Sequence, residues 1–350
     1  MEASKKRKDI PVMAFLLGVI AVILAFAAFK ALGSVLKPIV FAWVLSAMLA
    51  PLVSVLSNKL RLPQVLSIFI AMALTVFIVF EAGVLINSLV SSFVGMYGEY
   101  MGKMQELLKH FYEMLPDKAV AMLKSFEWQP KLTRSVLSLS GTLISASTTT
   151  VIVMIIASFM LIERRDFDIK VAEAFENSAR VSGVIRSITT QVSRYLLLQL
   201  VISAVTGLCV WLALWSIGID FAATWGVLAF VLNFIPTIGS IVASIPPLLI
   251  ALVQHAPESY WPFILALVAI LFIQMTIGNV VAPRVMGEHL NLSPVAVLVS
   301  LLFWGWLWGP AGALLSTPIT AAIKIICDNI GPLEPIGILL GSARPFRKAR

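Results

Sequence analysis

Charge is scarce in this chain. Asp, Glu, Lys and Arg make up 13% of its 350 residues, against 59% hydrophobic residues. Soluble domains carry about 25% charged residues, so the shortage, with a mean hydropathy of +0.97, excludes an ordinary water-soluble fold. Cysteine is almost missing. Cys209 and Cys327 stand alone in apolar stretches, which excludes a disulfide framework or a cysteine metal site. The three histidines, His110, His255 and His289, are isolated and offer neither paired ligands nor a base with a partner. No phosphate-cradling Gly-x-x-x-x-Gly-Lys-Ser/Thr, His-Glu-x-x-His or nucleophile-elbow pattern occurs, so no ATP hydrolysis, enzymatic activity, metal or cofactor is expected. The formal charge of +8 is scattered between apolar runs and at the two ends. That placement suits cytoplasmic loops beside a bilayer rather than nucleic acid.

What is abundant is long uncharged sequence. Intervals free of charge run Ile10–Phe29, Pro38–Asn58, Leu62–Phe80, Ser135–Ile162, Tyr195–Ile219, Phe221–Pro257, Ser259–Pro283 and His289–Ile323. The expected fold is an all-α polytopic membrane protein of about eight membrane segments. The cluster Lys5, Lys6, Arg7 and Lys8 before the first run resembles the start of a signal peptide, but the run is long enough to span, and an uncleaved first helix is expected. Phe221–Pro257 and His289–Ile323 are roughly 37 and 35 residues long, against about 20 for one crossing. They are too long for one helix and too short for two with a turn. Pro236, Gly239, Pro246 and Pro247 interrupt the first; Gly309, Pro310, Gly312 and Pro318 interrupt the second. Irregular backbone is tolerated at bilayer depth only inside protein or along a wet cavity, so both stretches read as broken, re-entrant-like segments. Two ordinary tilted, kinked crossings are the alternative.

Charge placement supports hairpins. Lys59, Arg61, the stretch from Arg164 to Arg194, Arg284 and the tail with Arg344, Arg347, Lys348 and Arg350 read as cytoplasmic, whereas the connections at Asp220 and Glu258 carry no base. A full crossing of Phe221–Pro257 would put Arg284 outside; a hairpin entering from outside does not. His289–Ile323 then enters from the cytoplasm, and both termini are cytoplasmic. Lys30 and Lys37 dissent. The result is an inverted repeat, a design that supports alternating access around a midplane site.

Six regions are expected: a three-span bundle at 1–92, an extracytoplasmic amphipathic segment at 93–134, a fourth span at 135–162, a cytoplasmic helical linker at 163–194, a transport core with the repeat at 195–328, and a basic tail at 329–350. In the second, Tyr97, Tyr100, Met104, Leu107, Phe111 and Met114 recur at helical spacing. That stripe suits a membrane surface, a neighbouring subunit or packing on the parent domain.

Polar side chains at membrane depth are the candidate site. Asn233, Thr237, Ser240 and Ser244 lie on the first broken stretch, Ser316 and Thr317 on the second, and Gln274 and Asn279 on the span between. Gln199, Ser203 and Thr206 lie on the partner span. Amides and hydroxyls can replace the hydration of a small polar solute; helix-to-helix hydrogen bonding is the plainer role. Arg284 and Glu288 flank Gly287 as a possible gate pair. Buried carboxylates, which a proton-driven pump usually needs, are few: Glu81 and Glu163 are the early candidates.

At these residues the chain resembles the autoinducer-2 exporter (AI-2E) family of bacterial membrane proteins. The resemblance rests on Trp225-Gly226, Leu232-Asn233-Phe234-Ile235-Pro236, Ile238-Gly239 and Ile245-Pro246-Pro247; on Gly278-Asn279, Pro283-Arg284, Met286-Gly287 and Leu292-Ser293-Pro294; and on Phe303-Trp304-Gly305-Trp306-Leu307, Gly309-Pro310, Gly312, Leu315-Ser316 and Pro318. It is specific over Gln191–Asp328 and follows only hydropathy before that. The last motif is nearest to members associated with export of autoinducer-2. The resemblance implies an inner-membrane homo-oligomer that works without ATP on a small, very polar solute; other members are associated with sodium- or lithium-proton antiport. Three readings stand: export of autoinducer-2, cation/proton antiport, and a non-transporting scaffold that recruits partners through the 91–134 helix.

Overall fold

The computed structural model describes residues 16–18, 20–21, 24, 26–114, 149–174, 178–255, 258–286 and 292–342. The N-terminal basic cluster, Pro116, Pro130, Gly287, Glu288, His289 and the Arg344–Arg350 tail lie outside these residues. Among the described residues the chain is helical, apart from turns and one isolated antiparallel bridge, Leu292 to Gly341. In chain order the helices are α1 (Gly33–Asn58), α2 (Gln64–Met114), α3 (Thr149–Ile162), α4 (Arg164–Ala174), α5 (Ser178–Ile217), α6 (Ala222–Leu232), α7 (Ile238–His255), α8 (Trp261–Thr276), α9 (Ala282–Met286), α10 (Pro294–Trp308), α11 (Pro310–Asn329) and α12 (Glu334–Leu340). Among the described residues, six helical stretches are long and apolar enough to cross a bilayer: Gly33–Asn58, Gln64–Leu85, Val181–Ile217, Ile238–His255, Trp261–Val285 and Pro310–Asn329. Shorter apolar helices, α3, α6 and α10 among them, accompany these.

Burial is inverted relative to a soluble protein. Phe69, Trp215, Phe272 and Trp306 are each more than two-thirds exposed, while Ser67, Ser203, Thr206 and Ser316 are at most 1% exposed. Such a surface is stable against lipid and not against water. Three apolar clusters hold the helices together. One joins α6, α7 and α8 to the far half of α2 through Tyr100 and Leu107. The second joins α10 and α11 to α1 and α5, and the third joins α1, α2 and α3.

Two helices continue through region boundaries expected from charge. α2 is one helix of 51 residues, carrying the third span through 92/93 into the amphipathic stripe without a break. No proline falls between Gln64 and Met114, so nothing removes a helical hydrogen bond there. α5, 40 residues long, likewise runs through 194/195.

Candidate functional site

Both long uncharged stretches turn back on themselves. In the first, α6 ends at Leu232, the chain turns over residues 233–237, and α7 begins at Ile238. Thr237 takes the left-handed conformation with φ +58°, and a Cβ on Gly239 would lie 1.8 Å from the Leu232 carbonyl oxygen. Only glycine allows that approach. The two ends of this hairpin meet: Gln254 donates from Nε2 to Gly218 O at 3.0 Å and accepts at Oε1 from Asp220 N at 3.0 Å. α6 has 11 residues, about 16 Å of helix, half of a hydrocarbon core about 30 Å thick. It packs on α5 where Gly207 and Gly226 put each backbone against the other's carbonyl, 2.6 and 2.8 Å from a built Cβ. Small residues permit such close crossings in membranes.

The second hairpin turns at one residue. α10 ends at Trp308, Gly309 has φ +70° and ψ −150°, and Pro310 starts α11. A Cβ on Gly312 would lie 1.9 Å from the Trp304 carbonyl oxygen. Ser300 on α10 donates to Ser316 O at 3.0 Å and makes a short hydrogen bond with Thr320 Oγ1.

The tips point in opposite directions. Ser57 and Asn58, at the end of α1, share a recess with Thr190 and Arg194 of α5. At the other end of α1, about 37 Å away, Gly33 touches Trp308, whose Nε1 donates to Phe29 O at 3.4 Å. The first hairpin's tip instead meets Gln199 and Ser203, while its mouth lies at Gly218, about 36 Å along from Arg194.

Asn233 forms the centre of the first tip. Its carbonyl oxygen accepts from Gln199 Nε2 at 2.6 Å, and its own Nδ2 donates to Ser203 Oγ at 3.0 Å. Sequence reading placed Gln199 and Ser203 on the partner span; the fold brings them to Asn233. The remaining candidates do not converge there. Ser240 Oγ donates back to Thr237 O of the turn at 2.9 Å, and Ser244 Oγ to Ser240 O at 2.7 Å within α7. Gln274 is half-buried near the end of α8, and Asn279 is exposed in a π-helical turn over Ile277–Val281. Ser316 donates to Ala313 O at 2.8 Å, and Thr317 is buried beside the Tyr195 phenol of α5. Arg284 is exposed; its expected partner Glu288 lies outside the described residues.

The prolines divide. Pro236 and Pro310 sit at the tips, whereas Pro246 and Pro247 lie inside α7 and Pro318 inside α11. The latter three remove single helical hydrogen bonds without ending a helix, so they lie within the hairpin arms rather than at the interruptions.

Two features escaped sequence reading. Lys324 on α11, with its side chain 8% exposed, pairs with Asp328 one turn later, and α12 closes over them. A Cβ on Gly337 would collide with Asp328 Oδ1, and Leu340 O accepts from Ser293 N at 2.9 Å. The other feature is the π turn, where Ala282 N bonds Ile277 O. Its signal was Pro283, which cannot donate to Asn279 O.

At the mouth of the first hairpin, Tyr100 of α2 donates to Asp220 Oδ2 at 2.6 Å and Lys103 Nζ donates to Gln254 O at 3.4 Å. Burial, and then the Asp220 carboxylate, push the Tyr100 phenol above its ordinary range. Trp225 Nε1 donates to Asp220 O at 2.9 Å, and Phe221 has φ +60°. The amphipathic stripe thus straps the hairpin mouth of its own chain. Among the described residues no group of three His, Cys, Asp or Glu is placed to hold a metal.

Comparison with known proteins places the chain beside membrane transport proteins. Residues 16–331 match the model of the AI-2E family transporter. A "Putative transport protein" of Borreliella burgdorferi is 32% identical over 335 residues, 93% of this chain and 90% of that one. The AI-2 transport protein TqsA of Escherichia coli K12 is 32% identical over 330 residues, covering 93% and 94%. The "Putative transport protein YhhT" of the same organism is 31% identical over 340 residues, 95% of each.

Proposed function

Because the chain belongs to the AI-2E family of transporters, we propose that it exports autoinducer-2 or a closely similar small, uncharged, polar solute. Family membership makes it a multi-pass membrane transporter acting on a solute in a bilayer, and the scaffold reading gives way to that. We place it in the bacterial inner membrane as a homo-oligomer, with both termini cytoplasmic and no catalytic step. The first hairpin then enters from outside and the second from the cytoplasm, so each closes the path from one side.

The observation that carries this reading is the first tip. Asn233 is held against Gln199 and Ser203 by hydrogen bonds of 2.6 and 3.0 Å, while its Oδ1 has no hydrogen bond among the described residues. An amide and hydroxyls around a proline-broken turn can exchange hydrogen bonds with a polyol without needing a charge. Uptake of autoinducer-2 into everted membrane vesicles tests it. Protein-dependent uptake that falls at least tenfold in Asn233→Ala, with the protein still inserted, is the expected result. Unchanged uptake in that variant removes the site from the first tip.

A second reading, sodium/proton antiport, draws support from the Lys324–Asp328 pair. Ionisable groups inside a membrane domain are costly and usually functional. Sodium-dependent collapse of a pH gradient in the same vesicles, lost in Asp328→Asn, favours it.

A further inference from the structure

A second polar recess lies away from both hairpins. Where the end of α1, the start of α2, the α3–α4 junction and α5 meet, there is a cleft of about 730 Å³. Arg164, Arg194, Ser193, Thr190, Ser57 and Asn58 supply its polar lining. Among the described residues neither arginine is in an ion pair, and no carboxylate lines the cleft. Ser193 is the most telling member. It is only 8% exposed, and its Oγ has no hydrogen-bond partner among the described residues, whereas buried hydroxyls are nearly always partnered. Other lining side chains are already engaged: Ser54 Oγ donates to Pro51 O at 2.7 Å, Gln64 Nε2 to Leu161 O at 3.4 Å, and Ser57 Oγ to Ser54 O at 3.4 Å and Asn58 Oδ1 at 3.5 Å.

The chemistry selects its occupant. Guanidinium groups bind oxyanions through two parallel hydrogen bonds, and two of them without a counter-charge favour an anion. Hydroxyls and an amide at their side match hydroxyls on a carbon skeleton. The volume falls in the range of small-molecule sites, about 300–1,000 Å³, far more than a bare phosphate fills. Val53, Leu161 and Leu197 add an apolar wall suited to carbon rather than water.

We propose that this cleft binds a phosphate ester of a small polyol. A soluble glycerol- or sugar-phosphate and the headgroup of an anionic glycerophospholipid share that chemistry. Ser193 lies about 80° round α5 from Ser203 and about 15 Å along it, so the cleft is not the first tip.

The test uses the full-length protein in neutral detergent, titrated calorimetrically with glycerol 3-phosphate and, as control, glycerol. In parallel, wild type and variants are reconstituted in phosphatidylcholine nanodiscs with and without phosphatidylglycerol, and retained lipid is measured after extraction. Saturable binding of glycerol 3-phosphate but not glycerol, weakened at least tenfold in Arg164→Gln and Arg194→Gln and a few-fold in Ser193→Ala, assigns the site to a soluble ester. Retention of phosphatidylglycerol that disappears in the double Arg→Gln variant, without glycerol 3-phosphate binding, assigns it to lipid. Arg194→Lys keeps the charge and is expected to retain partial binding. Equal unfolding midpoints of the ligand-free variants exclude misfolding as the cause. Absence of any arginine-dependent binding of either probe overturns the proposal. No transport assay enters, so the result is independent of the exported solute.

Discussion

The two hairpins solve one problem differently. Each must reverse direction within a span's length, and each does so where a glycine lets helix backbone meet a carbonyl, at Gly239 and Gly312. The first hairpin spends five residues on its turn and places a non-glycine residue, Thr237, at positive φ. It then recruits α5 to hold Asn233. The second turns on Gly309 alone, and its arms bond each other as well as packing on α1 and α5, Ser300 against Ser316 and Thr320. A loose turn pinned by a neighbouring helix can be released by that neighbour. A tight turn pinned by its own arms moves as one body. We therefore assign gating to the first hairpin and rigid-body motion to the second.

Substitutions can break or sharpen this contrast. The largest effect is expected where the hairpins agree: Gly239→Ala and Gly312→Ala each force a Cβ into a carbonyl and should cost at least about 3 kcal/mol, measured by thermal unfolding in detergent. Midpoints within a degree of the parent would mean that the close approaches are not real. Next come the turns themselves, where the signs should differ. Gly309→Ala forces alanine into a glycine-only conformation and should destabilise by about 1–3 kcal/mol, whereas Thr237→Gly relieves a left-handed threonine and should stabilise by up to about 1 kcal/mol. A loss in both would erase the distinction. Asn233→Ala should cost about 1–2 kcal/mol yet abolish transport, while Ser300→Ala, of similar cost, should leave transport near normal. Comparing uptake per folded molecule separates the two.

The smallest effect is at the mouth strap. Tyr100→Phe should cost about 1 kcal/mol. The phenol's pKa is raised in the folded state, so its stabilisation is fully present below the unfolded value of about 10 and is lost as pH rises further. Unfolding midpoints scanned from pH 8 to 11 should fall on the alkaline side for the parent, and fall less for Tyr100→Phe.

Much of this architecture was legible from residues alone, for a physical reason. Burying a charge in lipid is costly enough that Asp220, Glu258 and Arg284 report which stretches can cross, and hairpins follow from interval length. Where each hairpin turns was less legible. Pro236, Gly239, Pro246 and Pro247 all stood out as interruptions, but only the first two lie at the reversal; an internal proline weakens a helix without reversing it. Reversal at the first tip needed the left-handed turn at Thr237 and the bare backbone of Gly239. The Asn233–Gln199–Ser203 contact was also hidden in part. All three residues stood out as polar groups at depth, but no periodicity says which face of α5 meets a residue 34 positions away. The stripe from Tyr97 to Met114 left a membrane surface, a neighbouring subunit and the parent domain open as partners; helix propagation without a breaker continues the spanning helix into it, and Tyr100 and Leu107 pack on the parent domain.

That unbroken helix makes α2 a lever. From Thr75, inside the span, to Tyr100 is about 37 Å of continuous helix. A tilt of about 5° in the membrane half would therefore swing the Tyr100 hydroxyl by about 3 Å over that arm, more than the 2.6 Å that separates it from Asp220. Any change of lean that bilayer thickness imposes on the span would therefore be carried to the mouth of the first hairpin.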